Sequence, residues 1–306
     1  MSFTPAIAQE LRQVLATVVA VPVTPFQAHG KPDWDTYAAL TRRLVDGGIT
    51  VITPNGNTGE FYALTAAEAR LAAETAAAAS GGKAELLAGV GHDIATAAEA
   101  ARHAQDQGMR MIMIHQPVHP YVSREGWIDY HAAIAGAVPD LGVVLYVRNE
   151  RITGADIAAL ADRAPNVIGV KYGVRDAGTF AAVSRDAGID RFTWLAGAAE
   201  LTAPSYWACG AHGFTSGLAN VDPALPLAML DALRGNDFGE AMKIWERVRR
   251  FEELRAAGAS ADNVSVVKEA LAQLGLCRAD VRPPSRLLPP AVRQEITQIL
   301  TSWGLT

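Results

Sequence analysis

Asn166-Val167-Ile168-Gly169-Val170-Lys171-Tyr172-Gly173 is a short apolar run with Pro165 before it and Gly173 closing it. Its length and its valine and isoleucine content predict a fully buried strand, and Lys171 stands at the end of that strand. The chain has five lysines among 27 Lys and Arg residues. Lys31 and Lys83 sit in turn-like surroundings, and Lys243 and Lys268 lie in helical patterns. Only Lys171 caps a buried strand. An ammonium held there loses hydration, which lowers its pKa and leaves some neutral amine near neutral pH. Such an amine in a pocket can attack a ketone and form a Schiff base. The plain alternative is a strand-end lysine that reaches solvent or pairs with a carboxylate, and this stretch alone does not choose.

Outward from Lys171 the same unit recurs. Thr17 to Val23 reads as a first strand closed by Thr24-Pro25, and Trp34 to Asp46 as a helix stopped at Gly47-Gly48. Ile49 to Thr53 reads as a second strand, followed by the loop Pro54-Asn55-Gly56-Asn57-Thr58-Gly59-Glu60. Thr65 with Glu68 has capping-box spacing and opens the next helix. Further strands are predicted at 85–89, 109–114, 142–146, 167–171, 192–196 and 213–216. Helical stretches near 95–107, 124–137, 155–164, 177–186 and 200–209 separate them. These units recur at roughly 20 to 35 residues, the length of one strand–helix step. Eight of them in about 200 residues predict an α/β fold, a closed (β/α)8 TIM barrel. An open doubly wound sheet is the alternative, but no G-x-G-x-x-G follows the first strand.

After the eighth strand the alternation stops. Ala224–Leu233, Phe238–Ala256, Asn263–Leu274 and Pro290–Trp303 are helical patterns with no strand between them. The expected organisation is a barrel over residues 1–235 and a small C-terminal helical extension over 236–306, one structural unit with the barrel. With 306 residues the chain has ample length for one large core.

The net charge of −5 gives no basic footprint for nucleic acid. No apolar run reaches the length of a membrane span. Residues 1–13 lack a basic segment followed by an apolar one, so no signal peptide is expected. Cys209 and Cys277, far apart and without metal-site spacing, read as reduced thiols of a cytoplasmic protein. These features together point to small-molecule chemistry, without nucleic acid or membrane partners.

In a (β/α)8 barrel the reacting groups come from the carboxyl ends of the strands and the loops after them. Lys171 is at such an end. Gly56-Asn57-Thr58-Gly59-Glu60 follows the second strand, so it opens on the same face. Its glycines allow a turn whose N–H groups converge on one spot, an anion nest suited to the carboxylate of a 2-oxo acid. An ordinary glycine turn is the alternative.

From about Thr17 to Pro290 the chain resembles the dihydrodipicolinate synthase / N-acetylneuraminate lyase superfamily. Gly56, Thr58, Gly59 and Glu60 match its G-x-[ST]-G-E loop, and Ile168-Gly169-Val170-Lys171 matches its lysine strand. Val267-Lys268, Leu274-Gly275-Leu276 and Val281-Arg282-Pro283-Pro284 look like its C-terminal segment. The resemblance implies a class I lyase with no cofactor, a Schiff base on Lys171, and a homo-oligomer, dimer or tetramer. Gly56, Asn57 and Thr58 would hold the substrate carboxylate. Ser216, ending the eighth strand, joins the substrate-binding candidates.

This sequence departs from the family at the proton relay. Where the family has a tyrosine two residues after a proline past the fourth strand, a gapless count gives His119, in Gln116-Pro117-Val118-His119-Pro120-Tyr121. An imidazole can serve as general acid or base near neutral pH. Tyr121 is the substitute if the loop shifts, and a histidine that only binds backbone is the alternative. Synthases of the family also carry a hydroxyl residue where Asn57 stands, so their relay cannot operate here in the same form. Tyr146-Val147-Arg148-Asn149-Glu150-Arg151-Ile152-Thr153 aligns without gaps with a segment of 5-dehydro-4-deoxyglucarate dehydratases. Arg148 or Arg151 could clamp a second carboxylate, or form a rim ion pair.

The reading is a Schiff-base lyase acting on a pyruvate-like 2-oxo acid, a sugar-acid dehydratase or aldolase. A 4-hydroxy-tetrahydrodipicolinate synthase is the alternative within the family. Another is a metal-dependent barrel enzyme using His92, Asp93, His115 and His119, although these loop-borne residues share no defined face. The third is a barrel that binds a 2-oxo acid without turning it over.

Overall fold

A computed structural model describes residues 3–306. In chain order the elements begin with α1 (Pro5–Leu15), β1 (Val18–Ala20), α2 (Trp34–Asp46), β2 (Val51–Ile52), α3 (Ala66–Ser80) and β3 (Glu85–Val90). They continue with α4 (Ile94–Asp106), β4 (Met111–Ile114), α5 (Arg124–Ala137), β5 (Gly142–Val147), α6 (Gly154–Arg163) and β6 (Val167–Tyr172). Then come α7 (Ala177–Asp186), β7 (Thr193–Ala196), α8 (Ala203–Ala208) and β8 (Gly213–Ser216). Four helices end the chain: α9 (Ala224–Arg234), α10 (Phe238–Ser260), α11 (Asn263–Gln273) and α12 (Pro290–Ser302).

The eight strands close in sequence order, β1 to β8, into the expected (β/α)8 barrel, with C-terminal helices after it. The chain divides into two compact units. The first takes residues up to Val19, Thr50–Thr53 and Glu85–Thr215. It therefore holds the strands, apart from the last residues of β1 and β8, together with α1 and α4 to α8. The second takes Ala20–Ile49, Pro54–Ala84 and Ser216–Thr306, which carry α2, α3 and α9 to α12.

Local signals set several boundaries. Thr65 and Glu68 form the capping box expected at the start of α3. Helix α5 and strand β8 have the bounds read from the sequence, whereas β1 and β2 are shorter than expected. In α10, non-helical angles begin at Ala257, so the regular part ends at Ala256, as its pattern implies.

Helix α1 is an addition to the elements expected from the sequence, in which residues 1–13 bear only on the absence of a signal peptide. Thr4 caps it by accepting from Ile7 N, and Pro5 occupies the first turn, where no N–H is needed. Its buried face, Ala8, Leu11 and Leu15, packs with the barrel residues Val19, Leu87, Met111, Val144, Ile168 and Leu195. Each fully buried leucine contributes about 1.5–3 kcal/mol. Two strand glycines make room for this helix. A Cβ on Gly169 would lie 2.7 Å from Leu15 Cδ2, and one on Gly142 would lie 3.0 Å from Leu11 Cδ1.

Closure of the barrel leaves even less space. A Cβ on Gly213 in β8 would stand 2.2 Å from Thr17 O and 2.8 Å from Thr17 N, just before β1. Both contacts are backbone, which cannot swing aside. Gly213→Ala is therefore expected to destabilise the fold by about 1–3 kcal/mol, the usual cost of overpacking. Thermal or urea unfolding checks this, and an unchanged midpoint would refute it.

Candidate active site

Side chains alternate across a strand, so residues two apart share one face. On β6, Gly169 faces the leucines of α1, which puts Lys171 on the interior face as well. The parallel register pairs Lys171 with Tyr146 of β5 and Leu195 of β7. Tyr146 and Leu195 belong to the interior core cluster. Lys171 is only 4% exposed, near the carboxyl end of its strand. Its neighbour Tyr172 faces the opposite way, into an aromatic group with Phe180 and Tyr206. Burial pushes the Tyr172 hydroxyl up to about 12, so it stays protonated at neutral pH.

Lys171 Nζ lies 4.3 Å from the centroid of the Tyr146 ring. The negative face of the ring suits an ammonium, and the ring carries a phenol hydroxyl, a group able to donate or accept a proton. His115 follows β4 directly and is fully buried, with its ring 6.0 Å from that of Tyr146 in an edge-on arrangement. Two glycines keep these strand ends close. A Cβ on Gly173 would meet Arg148 Cγ at 2.9 Å and Tyr146 Cε2 at 3.1 Å. A Cβ on Gly197 would meet the Tyr172 carbonyl at 2.8 Å.

By sequence alone Tyr146 is a strand residue with no assigned role, and His115 is a candidate only as a metal ligand. The signal for Tyr146 was present in part: it opens the Tyr146–Thr153 segment, and its side-chain parity on β5 is that of Val144. What the sequence lacked was the β5–β6 register, which shifts between Val143 and Val144.

The loop after β2 belongs to the second unit. Gly56 is extended, and Asn57–Gly59 form one 3-10 turn. The turn's own bonds run from Gly59 N to Gly56 O (2.9 Å) and from Glu60 N to Asn57 O (3.0 Å). The N–H groups of Asn57 and Thr58 precede these bonds, so they project from the N-terminal end of the turn. Gly59 is required by space, since a Cβ there would lie 2.9 Å from Pro22 O. Its carbonyl accepts from Thr24 Oγ1 at 2.7 Å.

The remaining candidates are dispersed. His119 and Tyr121 lie on the outer part of the loop after β4, and Tyr121 is 85% exposed. His119 Nδ1 is 2.9 Å from Tyr121 O and 3.2 Å from Tyr121 N, so that ring nitrogen is engaged by its own loop. Arg148 and Arg151 are exposed after β5. Ser216 is buried, and its hydroxyl accepts from Ala219 N at 2.9 Å. Asp93 is the N-cap of α4, accepting from Thr96 N, and the His92 carbonyl accepts from Tyr130 OH at 3.0 Å. Among the described residues, no group of three His, Cys, Asp or Glu side chains could hold a metal ion.

Residues 14–303 match the model of the Dihydrodipicolinate synthetase family. A probable 5-dehydro-4-deoxyglucarate dehydratase of Polaromonas naphthalenivorans is 31% identical over 97% of this chain and 98% of its own. A 4-hydroxy-tetrahydrodipicolinate synthase of Phenylobacterium zucineum is 30% identical over 92% of this chain and 95% of its own. Among solved structures, the dihydrodipicolinate synthase from Oceanobacillus iheyensis superposes with a TM-score of 0.93 at 36% identity. That match covers 98% of this chain and all of the other. The Bacillus clausii enzyme gives the same TM-score at 38% identity, over 96% and 99% of the two chains.

Proposed function

The chain belongs to the Dihydrodipicolinate synthetase family and is a lyase, and we propose that it removes water from a deoxy sugar acid through a Schiff base on Lys171. The observation that carries this is the lysine itself, buried at the end of β6 with the Tyr146 ring against its amine.

The name 5-dehydro-4-deoxyglucarate describes a suitable substrate, because its ketone at C5 adjoins the C6 carboxylate, with a CH2 at C4 and a hydroxyl at C3. Lys171 Nζ adds to C5, water leaves, and an iminium forms. The iminium draws electrons from C4, so a C4 proton is lost and an enamine results. The enamine expels the C3 hydroxyl, which departs as water once protonated, and hydrolysis of the imine frees Lys171. Tyr146 is the group beside the amine and is proposed to carry the proton there. His119 can exchange protons through Nε2 without leaving its loop contact, and Tyr121 is the further loop candidate. The Asn57 and Thr58 N–H groups, with Gly56 shaping the turn, are proposed to take the C6 carboxylate. Arg148 or Arg151 would bind the carboxylate at C1, with Ser216 as a further substrate contact.

Condensation of pyruvate with an aldehyde uses the same enamine, and the relative named as a synthase keeps that second reading. The decisive measurement offers 5-dehydro-4-deoxyglucarate in one arm and pyruvate with an aldehyde acceptor in the other. Dehydration in the first arm, unchanged in excess EDTA, is expected. Turnover only with pyruvate would favour the synthase, and loss in EDTA restored by Zn2+ would revive the metal-dependent reading. Binding without turnover would mean a barrel that has lost catalysis. By the same family resemblance, a cytoplasmic homo-oligomer, dimer or tetramer, is proposed. Among the described residues no helix is long and apolar enough to cross a membrane.

A further inference from the structure

The C-terminal residues that match the family, Lys268 and Arg282, are given no task by the reaction above. Both converge on Glu60, at the end of the loop after β2. Lys268, on α11, is fully buried, and Glu60 is only 2% exposed. Lys268 Nζ donates to Glu60 Oε1 at 2.5 Å and to Asp280 O at 2.8 Å. The other carboxylate oxygen, Oε2, accepts from Arg282 N at 2.8 Å. Arg282 is itself anchored: its Nη1 donates to Ala63 O at 2.9 Å and to Glu68 at 2.7 Å, and its Nη2 to Gly30 O at 2.8 Å and to Glu68 at 2.7 Å. The Phe26 ring packs against both cations, 4.0 Å from Lys268 Nζ and 4.5 Å from Arg282 Cζ.

Burial pushes Lys268 down from its usual range, and the Glu60 carboxylate opposes that shift. Arg282 and the Thr65 contacts hold the Glu68 carboxyl down at about 2. Two cations therefore meet two carboxylates, and the network is neutral as a whole.

The backbone explains what the network holds. Glu60 has φ of +60°, a left-handed conformation that a residue with a Cβ adopts at a cost. It is the cap of the Asn57–Gly59 turn and also the entry to the next 3-10 turn, Phe61–Ala63. Its side chain is fixed at both oxygens, and Ala63, three residues on, is fixed by Arg282. Were Glu60 to relax to a right-handed conformation, the preceding turn would rotate, and with it the N–H groups of Asn57 and Thr58.

We propose that Lys268 and Arg282 are positioning residues, which aim the Asn57–Thr58 N–H groups by clamping Glu60 in its left-handed conformation. The proposal rests on the carboxylate role given to that turn above. It separates binding from chemistry: a misaimed turn weakens the hold on the carboxylate of a 2-oxo acid, whereas Lys171, outside the network, still attacks once the ligand is bound. A loss of uniform binding raises half-saturation without lowering the limiting rate.

The test is borohydride trapping of pyruvate on the full chain, as a function of pyruvate concentration. Glu60→Gln combined with Lys268→Met removes the charges together, which leaves no unpaired buried ion and tends to preserve folding. Arg282→Lys is the milder parallel variant, keeping the charge but not the forked contacts. Thermal unfolding shows which variants are folded. A folded variant is expected to need about tenfold more pyruvate for half-saturation, with its limiting trapping rate within about threefold of wild type. Wild-type half-saturation in the folded variants overturns the proposal, as does a fall in limiting rate at unchanged half-saturation. If the double variant does not fold, Arg282→Lys decides by the same criterion. No adduct in the wild type would refute instead the Schiff-base reading on which the proposal stands.

Discussion

Lys171→Ala is expected to lower turnover by about 10³-fold or more and to abolish the borohydride-stable adduct with pyruvate. The size follows from the role. Without a nucleophile at the end of β6 there is no iminium, and the proton on the carbon beside the ketone stays close to its acidity in water. In the wild type the amine adds to the keto carbon, water leaves, and hydride reduces the C=N bond to a stable secondary amine. Mass spectrometry should place that adduct on the peptide containing Lys171. The other lysines are controls in the same sample: Lys31 and Lys83 are exposed, Lys243 pairs with Glu240, and Lys268 is fully buried. An adduct on any of them in place of Lys171, or full activity in Lys171→Ala, would remove the basis of the mechanism.

Tyr146→Phe should have the second-largest effect, a fall in turnover of about 10²–10⁴-fold, the usual contribution of a positioned acid–base group. The substitution keeps the ring that lies 4.3 Å from Nζ and removes only the hydroxyl. Packing in the core cluster is preserved, so a stability change does not explain a lost rate. The adduct with pyruvate should still form, more slowly, because the nucleophile is intact. His119→Phe is the comparison. A loss of similar size there would assign the proton step to the loop imidazole. Near-normal turnover in both variants would turn attention to Tyr121.

Much of the barrel was legible because its signals are local. A strand announces itself by a few consecutive apolar residues, and a helix by its period, its cap and its stop. Thus Thr65 with Glu68 marked the start of α3, Gly47-Gly48 the end of α2, and the alternating units led to the closed barrel. The apolar run ending at Lys171 marked a buried strand end for the same reason. Strands β1 and β2 are shorter than their apolar runs, since the flanking apolar residues are buried without joining the strand ladder.

Other features depend on chain segments that meet only in the folded state. The Tyr146 ring lies beside Lys171 because of the register between two parallel strands joined by a helix, and no neighbour in sequence encodes that register. In the loop after β4, the sequence pointed to His119 for the proton relay and to His115 only as a metal ligand. Folding buried His115 against Tyr146 and left His119 exposed with its ring on the backbone of Tyr121. Helix α1 looked like an unremarkable terminus until the leucines on its buried face met Gly142 and Gly169. Glu60 and Lys268, 208 residues apart, form a buried ion pair that neither local pattern contains. The sequence by itself determined most of the elements after α1, their order and the strand that ends in a lysine, because those depend on residues a few positions apart. Which side chains surround that lysine, and what holds the loop after β2, were decided by contacts between distant segments, whose geometry exists only once the chain has folded.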